Sequence, residues 1–148
     1  MSLQDYSLSI KNILKILPHR YPFLLVDRIL HYKKLKYLYA LKNCTFNESI
    51  FQGHFYNEPI FPGVLVLESM AQASGLLIYK STGELDIQKL YYFVGIDSAR
   101  FKKIVIPGDQ IILEIQWFKN TKNIQKFKSI ARVNECIICR AIILFNKK

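Results

Sequence analysis

The fold is decided by residues 62–80, PGVLVLESMAQASGLLIYK. Apolar residues would cover nearly the whole circumference of this stretch as a helix, and a helix that is apolar all round is buried on most sides. Pro62 suits the first turn because its missing N–H would have no partner there, and Gly83 follows the end. The stretch therefore predicts one long central helix, with a single carboxylate, Glu68, inside an otherwise apolar run.

The segments on both sides of this helix predict strands and one short helix. Ser9 to Leu17 has the apolar spacing of a short amphipathic helix, which Pro18 ends. Two strands before the long helix and four after it are predicted from β-branched and aromatic residues, alternation and turn signals: Phe23–Tyr32, Leu35–Thr45, Leu90–Asp97, Gln110–Lys119, Ile124–Val133 and Ile137–Asn146. This order predicts a single α+β domain over residues 1–148, an antiparallel sheet wrapped around one helix.

Length and hydropathy narrow the class of protein. The 148 residues have the length of one domain. No apolar run approaches the ~18 residues that a membrane-spanning helix needs. The first residues, MSLQDYSLSI, lack the basic segment and apolar core of a secretory signal. We therefore expect a cytoplasmic protein with no membrane span.

The formal net charge of +10 is unevenly distributed. Residues 1–98 hold 10 basic and 8 acidic side chains, whereas residues 99–148 hold 11 basic and 3 acidic ones. The basic segment 99–148 would attract an acidic partner, whether a protein, a nucleic acid or a membrane surface. A lysine-rich composition that merely solvates strands explains the same charges, so both interpretations stay open.

Three cysteines, Cys44, Cys136 and Cys139, cannot all pair within the chain. The spacing of Cys136 and Cys139 resembles a redox or zinc motif, but the surrounding CIICRAIILF favours a strand. Residues three apart in a strand point to opposite faces, so the two sulfurs diverge. We expect reduced, structural cysteines.

Two ionisable side chains near the start of the long helix are candidates for chemistry. Glu68 has apolar neighbours, and desolvation favours the neutral form of its carboxyl, which suits a general acid. Gln72, one turn later, is a possible hydrogen-bond partner. The alternative is a glutamate that meets solvent on a narrow polar stripe with Ser69 and Gln72. His54 precedes the helix, and taken alone it is more often structural than catalytic.

The start of the helix offers a third element. Its first backbone N–H groups have no intrahelical partners, and Gly63, which has no side chain, lets a ligand approach them closely. These amides suit an oxygen that gains negative charge. Base, oxyanion donor and acid together suit removal of a proton next to a carbonyl and expulsion of a group one carbon further on. His19 and His31 have no acid at a useful spacing; His19 is expected to tie down its own proline loop.

Motifs of other chemistries are missing from the sequence. It has no Gly-rich phosphate loop, no HExxH and no GxSxG elbow. Its basic residues are scattered along strands, without an RNP-like aromatic motif or a zinc finger.

Four segments together resemble the hot-dog-fold 3-hydroxyacyl-acyl-carrier-protein dehydratases of type II fatty acid synthesis. They are LPHRYPFLLVDR at 17–28, GHF at 53–55, PIFPGVLVLESMAQ at 59–72 and IDSARFKKIVIPGD at 96–109. The spacing from GHF to PGVLVLE is specific. The resemblance implies the hot-dog fold, and dimers whose sheets join edge to edge and assemble as threes into a homohexamer.

The resemblance also implies a reaction and its residues. Water leaves a (3R)-3-hydroxyacyl thioester, carried on the 4'-phosphopantetheine of acyl carrier protein, to give the trans-2-enoyl thioester, with no metal or redox cofactor. His54 would act as the base, and Glu68 of the other subunit would assist departure of the hydroxyl. Gly63 and Val64 would offer amides to the thioester oxygen. Related dehydratase/isomerases carry Asp in place of Glu68, so the dehydration-only branch is favoured.

The resemblance also suggests roles for residues outside the catalytic set. Tyr92 matches a position whose ring lies near the tunnel mouth in some relatives, although a core or interface tyrosine is the alternative. Arg100, Lys102 and Lys103 are candidates for docking the acidic carrier protein. The chain departs from the family at Tyr56, where proline is usual, which leaves the His54 loop less constrained.

Two other functions remain as alternatives. A hot-dog thioesterase would use water against the same thioester, although such enzymes usually place the acidic residue differently. A non-catalytic basic module would bind nucleic acid in a salt-sensitive way.

Overall fold

The computed structural model describes residues 7–83 and 91–148 and shows one sheet with a long helix. The sheet has six strands in the order β1-β2-β4-β5-β6-β3, and every neighbouring pair is antiparallel. The elements are α1 (Ile10–Ile16), β1 (Arg28–Lys33), β2 (Tyr37–Asn43), a 3-10 helix (Ser49–Gln52), α2 (Gly63–Thr82), β3 (Tyr91–Phe101), β4 (Gln110–Asn120), β5 (Ile124–Val133) and β6 (Cys136–Lys147). The predicted α+β architecture is confirmed; Leu90, the predicted start of the fourth strand, lies outside the described residues.

Helix α2 is the centre of the core. Every residue from Val66 to Ile78 is buried except Glu68. The helix packs against β2, β4, β5 and β6. The buried hydroxyls of Ser69 and Ser74 donate to the carbonyls of the preceding turn, so they need no other partner. The prediction of a helix buried on most sides is confirmed, and Glu68 is its exception.

The predicted strand over Phe23–Tyr32 is wrong in its first half. Strand β1 begins only at Arg28, because the backbone at Phe23 and Leu25 bonds to a helix side chain. The Phe23 carbonyl accepts from Gln72 Nε2 at 2.7 Å, and the Leu25 N–H donates to Gln72 Oε1 at 2.9 Å. This loop is thereby attached to α2.

The second predicted strand, Leu35–Thr45, is also too long. Leu35 has a positive φ of 58° and lies in the turn between β1 and β2, where the Lys36 N–H donates to the Lys33 carbonyl. Strand β2 therefore begins only at Tyr37.

Strands β4 to β6 match their predicted bounds to within one residue, whereas β3 continues past its predicted end at Asp97 to Phe101. In β4 and β5 buried residues alternate with more exposed ones, as half-buried strands require. In β6 Cys136 is exposed and Cys139 is buried, so their side chains diverge as predicted, and all three cysteines are free. Burial raises the pKa of the Cys139 thiol to about 11.

Strand β3 forms one edge of the sheet, and among the described residues it pairs only with β6. It exposes a row of apolar side chains: Tyr92, Phe93, Val94 and Ile96 are each between 37% and 56% accessible. An unpaired edge beside exposed apolar side chains is a template for association with another chain. In the described ranges, no helix is long and apolar enough to cross a bilayer.

Candidate active site

His54 is held in one orientation by the loop between the 3-10 helix and α2. Its Nδ1 lies 2.6 Å from the Ile60 carbonyl oxygen, and the Ile60 N–H donates back to the His54 carbonyl at 3.0 Å. A carbonyl oxygen only accepts, so Nδ1 must carry the proton. Nε2 therefore has a free lone pair, which is what a general base needs.

The missing proline after GHF is compensated within the same loop. Phe55 and Glu58 exchange two backbone hydrogen bonds of 3.0 and 3.1 Å, and the Phe55 ring stacks on His54 with centroids 4.1 Å apart. Tyr56, at the proline position, is 88% exposed and takes no part in either interaction. The loop is therefore closed without the rigid residue.

The N-terminus of α2 lies beside this histidine. The Leu65 and Val66 N–H groups donate to the Pro62 carbonyl, whereas those of Gly63 and Val64 have no backbone acceptor among the described residues. His54, Gly63 and Val64 line one cavity of about 280 Å³, whose walls are mostly apolar. A histidine with one ring nitrogen available and two helix-start residues without a backbone acceptor in the described part of the chain thus line one small cavity.

Phe101 covers the helix start and explains why residue 63 is glycine. A Cβ on Gly63 would lie 2.6 Å from Phe101 Cε1, closer than carbon atoms approach without displacement. Phe101 lies at the end of β3, within IDSARFKK, and the sequence did not single it out because an aromatic residue in an apolar, β-rich segment is typical of a strand. The ring is 55% exposed and forms part of the cavity wall.

Glu68 lies on a different side of α2. It follows Gly63 by five residues, which places it about 140° around the helix axis, and it is not among the residues that line the His54 cavity. Its side chain is 19% exposed. Gln72 Nε2 donates to Glu68 Oε1 at 2.9 Å, which confirms the predicted contact between them. The alternative of a glutamate simply meeting solvent does not describe this site.

The structure corrects the expectation for His19. Its Nε2 lies 3.6 Å from Glu68 Oε1, although the two residues are far apart in sequence. The role predicted for His19, to tie down its loop, is filled by Arg20, which donates to the carbonyls of Leu14, Leu17 and His19. Burial lowers the pKa of His19; the nearby Glu68 opposes this shift and Arg20 adds to it.

The remaining candidates divide between the cavity and the surface. Lys103 lines the His54 cavity, whereas Lys102 and Arg100 are exposed beside it in sequence. Tyr92 is 43% exposed on β3, with Lys148 Nζ 4.9 Å from its ring centroid, and it is not part of the cavity wall. Within residues 7–83 and 91–148, no three His, Cys, Asp or Glu side chains are grouped to hold a metal ion.

Comparison with known proteins decides the family. Residues 17–142 match a model described as a FabA-like domain. The chain belongs to the FabA-like family. It is 64% identical, over all its 148 residues and 98% of the relative, to a protein of Buchnera aphidicola subsp. Acyrthosiphon pisum named 3-hydroxyacyl-acyl-carrier-protein dehydratase FabZ. A protein of the same name from Erwinia tasmaniensis is 52% identical over 144 residues, covering 97% of this chain and 95% of the relative. The resemblance stated from the four sequence segments is confirmed.

Solved structures similar to this FabA-like chain support the fold alone. The dehydratase heterocomplex ApeI:P from Xenorhabdus doucetiae aligns with a TM-score of 0.76 at 15% identity, over 92% of this chain and 90% of that one. A hypothetical thioesterase with coenzyme A from Streptococcus pneumoniae aligns with a TM-score of 0.68 at 14% identity, over 95% and 97%. The predicted hot-dog fold is confirmed.

Proposed function

We propose that the chain is a dehydratase that converts a (3R)-3-hydroxyacyl-acyl carrier protein to the trans-2-enoyl form in type II fatty acid synthesis, in the cytoplasm. The observation that carries the proposal is the His54 cavity. There an imidazole with its Nε2 lone pair free lines the same cavity as two helix-start residues whose amides have no backbone acceptor among the described residues. Relatives that span nearly the same length carry the dehydratase name, which supports the choice of substrate class.

The first step is removal of a proton. His54 Nε2 takes a proton from the carbon next to the thioester carbonyl, and the C–H electrons move into the carbonyl to form an enolate. The Gly63 and Val64 N–H groups donate to the enolate oxygen, at the positive end of the α2 dipole. The Ile60 carbonyl, which accepts from Nδ1–H at 2.6 Å, favours the imidazolium that results.

The second step is loss of the hydroxyl. The bond from the β-carbon to its oxygen breaks, the enolate electrons form the α,β double bond, and Glu68 gives the departing hydroxyl a proton, so that water leaves. His54 then returns its extra proton to Glu68 through solvent. The steps need no redox cofactor, because no net oxidation occurs, and no metal, because the two amides stabilise the enolate and Glu68 protonates the departing hydroxyl.

Glu68 of a second subunit supplies this proton. Within one chain Glu68 is turned about 140° from Gly63 around α2, so it points away from the cavity of its own His54 and is suited to the cavity of a neighbour. The apolar, unpaired edge at β3 supports edge-to-edge pairing of two sheets, in a homodimer that assembles further into a homohexamer.

The carrier protein docks beside the cavity. Lys103 lies on the cavity wall and Arg100 and Lys102 are exposed next to it in sequence, in the basic half of the chain. An acidic carrier would be steered to this side, and its phosphopantetheine-linked acyl chain would enter the mostly apolar cavity. Tyr92 does not line the cavity wall. Its proposed role as a gate of the acyl-chain tunnel therefore depends on its place in the edge strand β3.

An assay with a crotonoyl thioester tests the proposal in the reverse direction. We expect hydration to the 3-hydroxy product, which is measured as a loss of enoyl absorbance. No free thiol should be released. Release of free thiol would support a thioesterase instead. Strong, salt-sensitive RNA binding without turnover of any thioester would support the nucleic-acid-binding alternative and overturn the proposal.

A further inference from the structure

His19 and Glu68 form a partly buried pair that the proposed reaction does not yet use. His19 Nε2 lies 3.6 Å from Glu68 Oε1, and the two side chains are 28% and 19% exposed. The Phe23 ring stacks on the imidazole at a centroid distance of 6.3 Å. Phe23 is in turn bound to α2 through Gln72. The orientation of His19 relative to Glu68 is therefore fixed by the fold.

The unpartnered nitrogen of His19 determines its tautomer. Nδ1 is buried and has no hydrogen-bond partner among the described residues. Buried donors without an acceptor are rarer than buried acceptors without a donor, so Nδ1 carries the lone pair and Nε2 carries the proton. That proton points towards Glu68 Oε1.

The surroundings of His19 keep the ring neutral. Glu68 faces it from α2, and Arg20 lies beside it on its own loop. A second ring proton would sit on the buried, unpartnered Nδ1 and next to the Arg20 cation. Burial lowers the pKa of His19 in the same sense. The ring is thus a neutral donor and not a fixed positive charge.

We propose that His19 is a positioning residue for Glu68: its Nε2–H stabilises the carboxylate that forms when Glu68 gives its proton to the departing hydroxyl. The inference rests on the acid role of Glu68 in the proposed function. Gln72 Nε2 donates to the same oxygen, Oε1, at 2.9 Å. Gln72 donates to Oε1 and His19 Nε2 lies near the same oxygen, which leaves Oε2 to face the substrate.

The contact of 3.6 Å is longer than a hydrogen bond. Catalytic hydrogen bonds are often long without substrate and shorten in the reacting complex. Because the donor acts on a charge that develops only during the reaction, its loss should lower kcat and leave KM unchanged.

The test compares three variants that differ in where a donor can reach. His19→Gln places an amide nitrogen close to the position of Nε2, His19→Asn reaches only the position of Nδ1, and His19→Phe keeps the ring packing without a donor. We expect kcat to fall about ten- to a hundredfold in H19N and H19F and to stay within about threefold of the original in H19Q. KM and the melting temperature should be similar in all three.

Equal impairment of H19Q and H19N, or a normal kcat in H19N, would overturn the inference. The comparison of H19Q with H19N decides the matter even if H19F does not fold. In a Glu68→Gln background, H19N should cause little further loss, because no carboxylate forms; a loss as large as in the original background would also overturn it. A loss of turnover in E68Q with normal kcat in H19N would refute this inference alone, whereas normal turnover in E68Q would refute the acid role itself.

Discussion

The His54 loop and the surroundings of Glu68 are built in different ways. His54 is oriented by neighbours within six residues, through Ile60 and the ring of Phe55. Glu68 is surrounded by Gln72 on its own helix and by His19 on a loop much earlier in the chain. The base is therefore positioned locally, whereas the position of the acid depends on tertiary packing. Substitutions near Glu68 should consequently couple activity to stability more strongly than substitutions near His54.

The largest effect is expected at the locally positioned base. His54→Ala should lower kcat for a 3-hydroxyacyl-carrier substrate by about 10²- to 10⁴-fold, the usual contribution of a general base. The oligomer and the melting temperature should be preserved, because His54 is only partly buried. His31→Ala is a matched control, since His31 stacks on Tyr39 away from the cavity wall. Near-normal turnover in H54A would contradict the assignment.

A smaller loss, about a hundredfold, is expected for Glu68→Gln. Mixing H54A and E68Q chains tests whether the His54 and Glu68 of one site come from the same chain or from two chains. If His54 and Glu68 act from different chains, a mixed dimer has one intact site and one site with both substitutions, so activity should return to about one site of two. Purified mixed dimers that stay inactive would contradict sharing.

Gly63→Ala tests the close contact between the start of α2 and the Phe101 ring. The added methyl group would meet the Phe101 ring and displace it, or block the approach of the thioester oxygen. We expect kcat to fall about tenfold, less than the 10²- to 10³-fold loss typical when an oxyanion donor is removed outright. Gly53→Ala is the control, because a Cβ at residue 53 has open space around it. Equal rates in G63A and G53A would show that the close approach at Gly63 has no catalytic role.

The smallest effect is expected at the surface. Reversing Lys102 and Lys103 to Glu should raise KM for a carrier-bound substrate about three- to tenfold while kcat stays unchanged, because charges at an interface chiefly govern encounter. A small soluble thioester should show no such change. Reversal of Lys119 and Lys122 to Glu, two exposed residues at the turn from β4 to β5, is the charge-matched control. An unchanged KM in the double variant would exclude these two lysines from docking.

The sequence predicts those features that depend on residues close together in the chain. Helix α2 was predictable because nearly every position from 64 to 78 is apolar or small, and β4 to β6 because their residues alternate. The loop from Phe23 to Leu25 was not, because its backbone bonds to the side chain of Gln72 and leaves no periodic signature. The proximity of His19 to Glu68 could not be predicted from the sequence for the same reason, because it arises only when this loop packs on α2.

The angular separation of Gly63 and Glu68 around α2 has a genetic consequence. If each site takes its base from one chain and its acid from the other, a chain carrying H54A alone inactivates one site of any dimer it forms with an unaltered chain. A chain carrying both H54A and E68Q inactivates both. Co-expressed with the unaltered protein, the doubly substituted chain should therefore be dominant, and its inhibitory effect should exceed that of either single substitution.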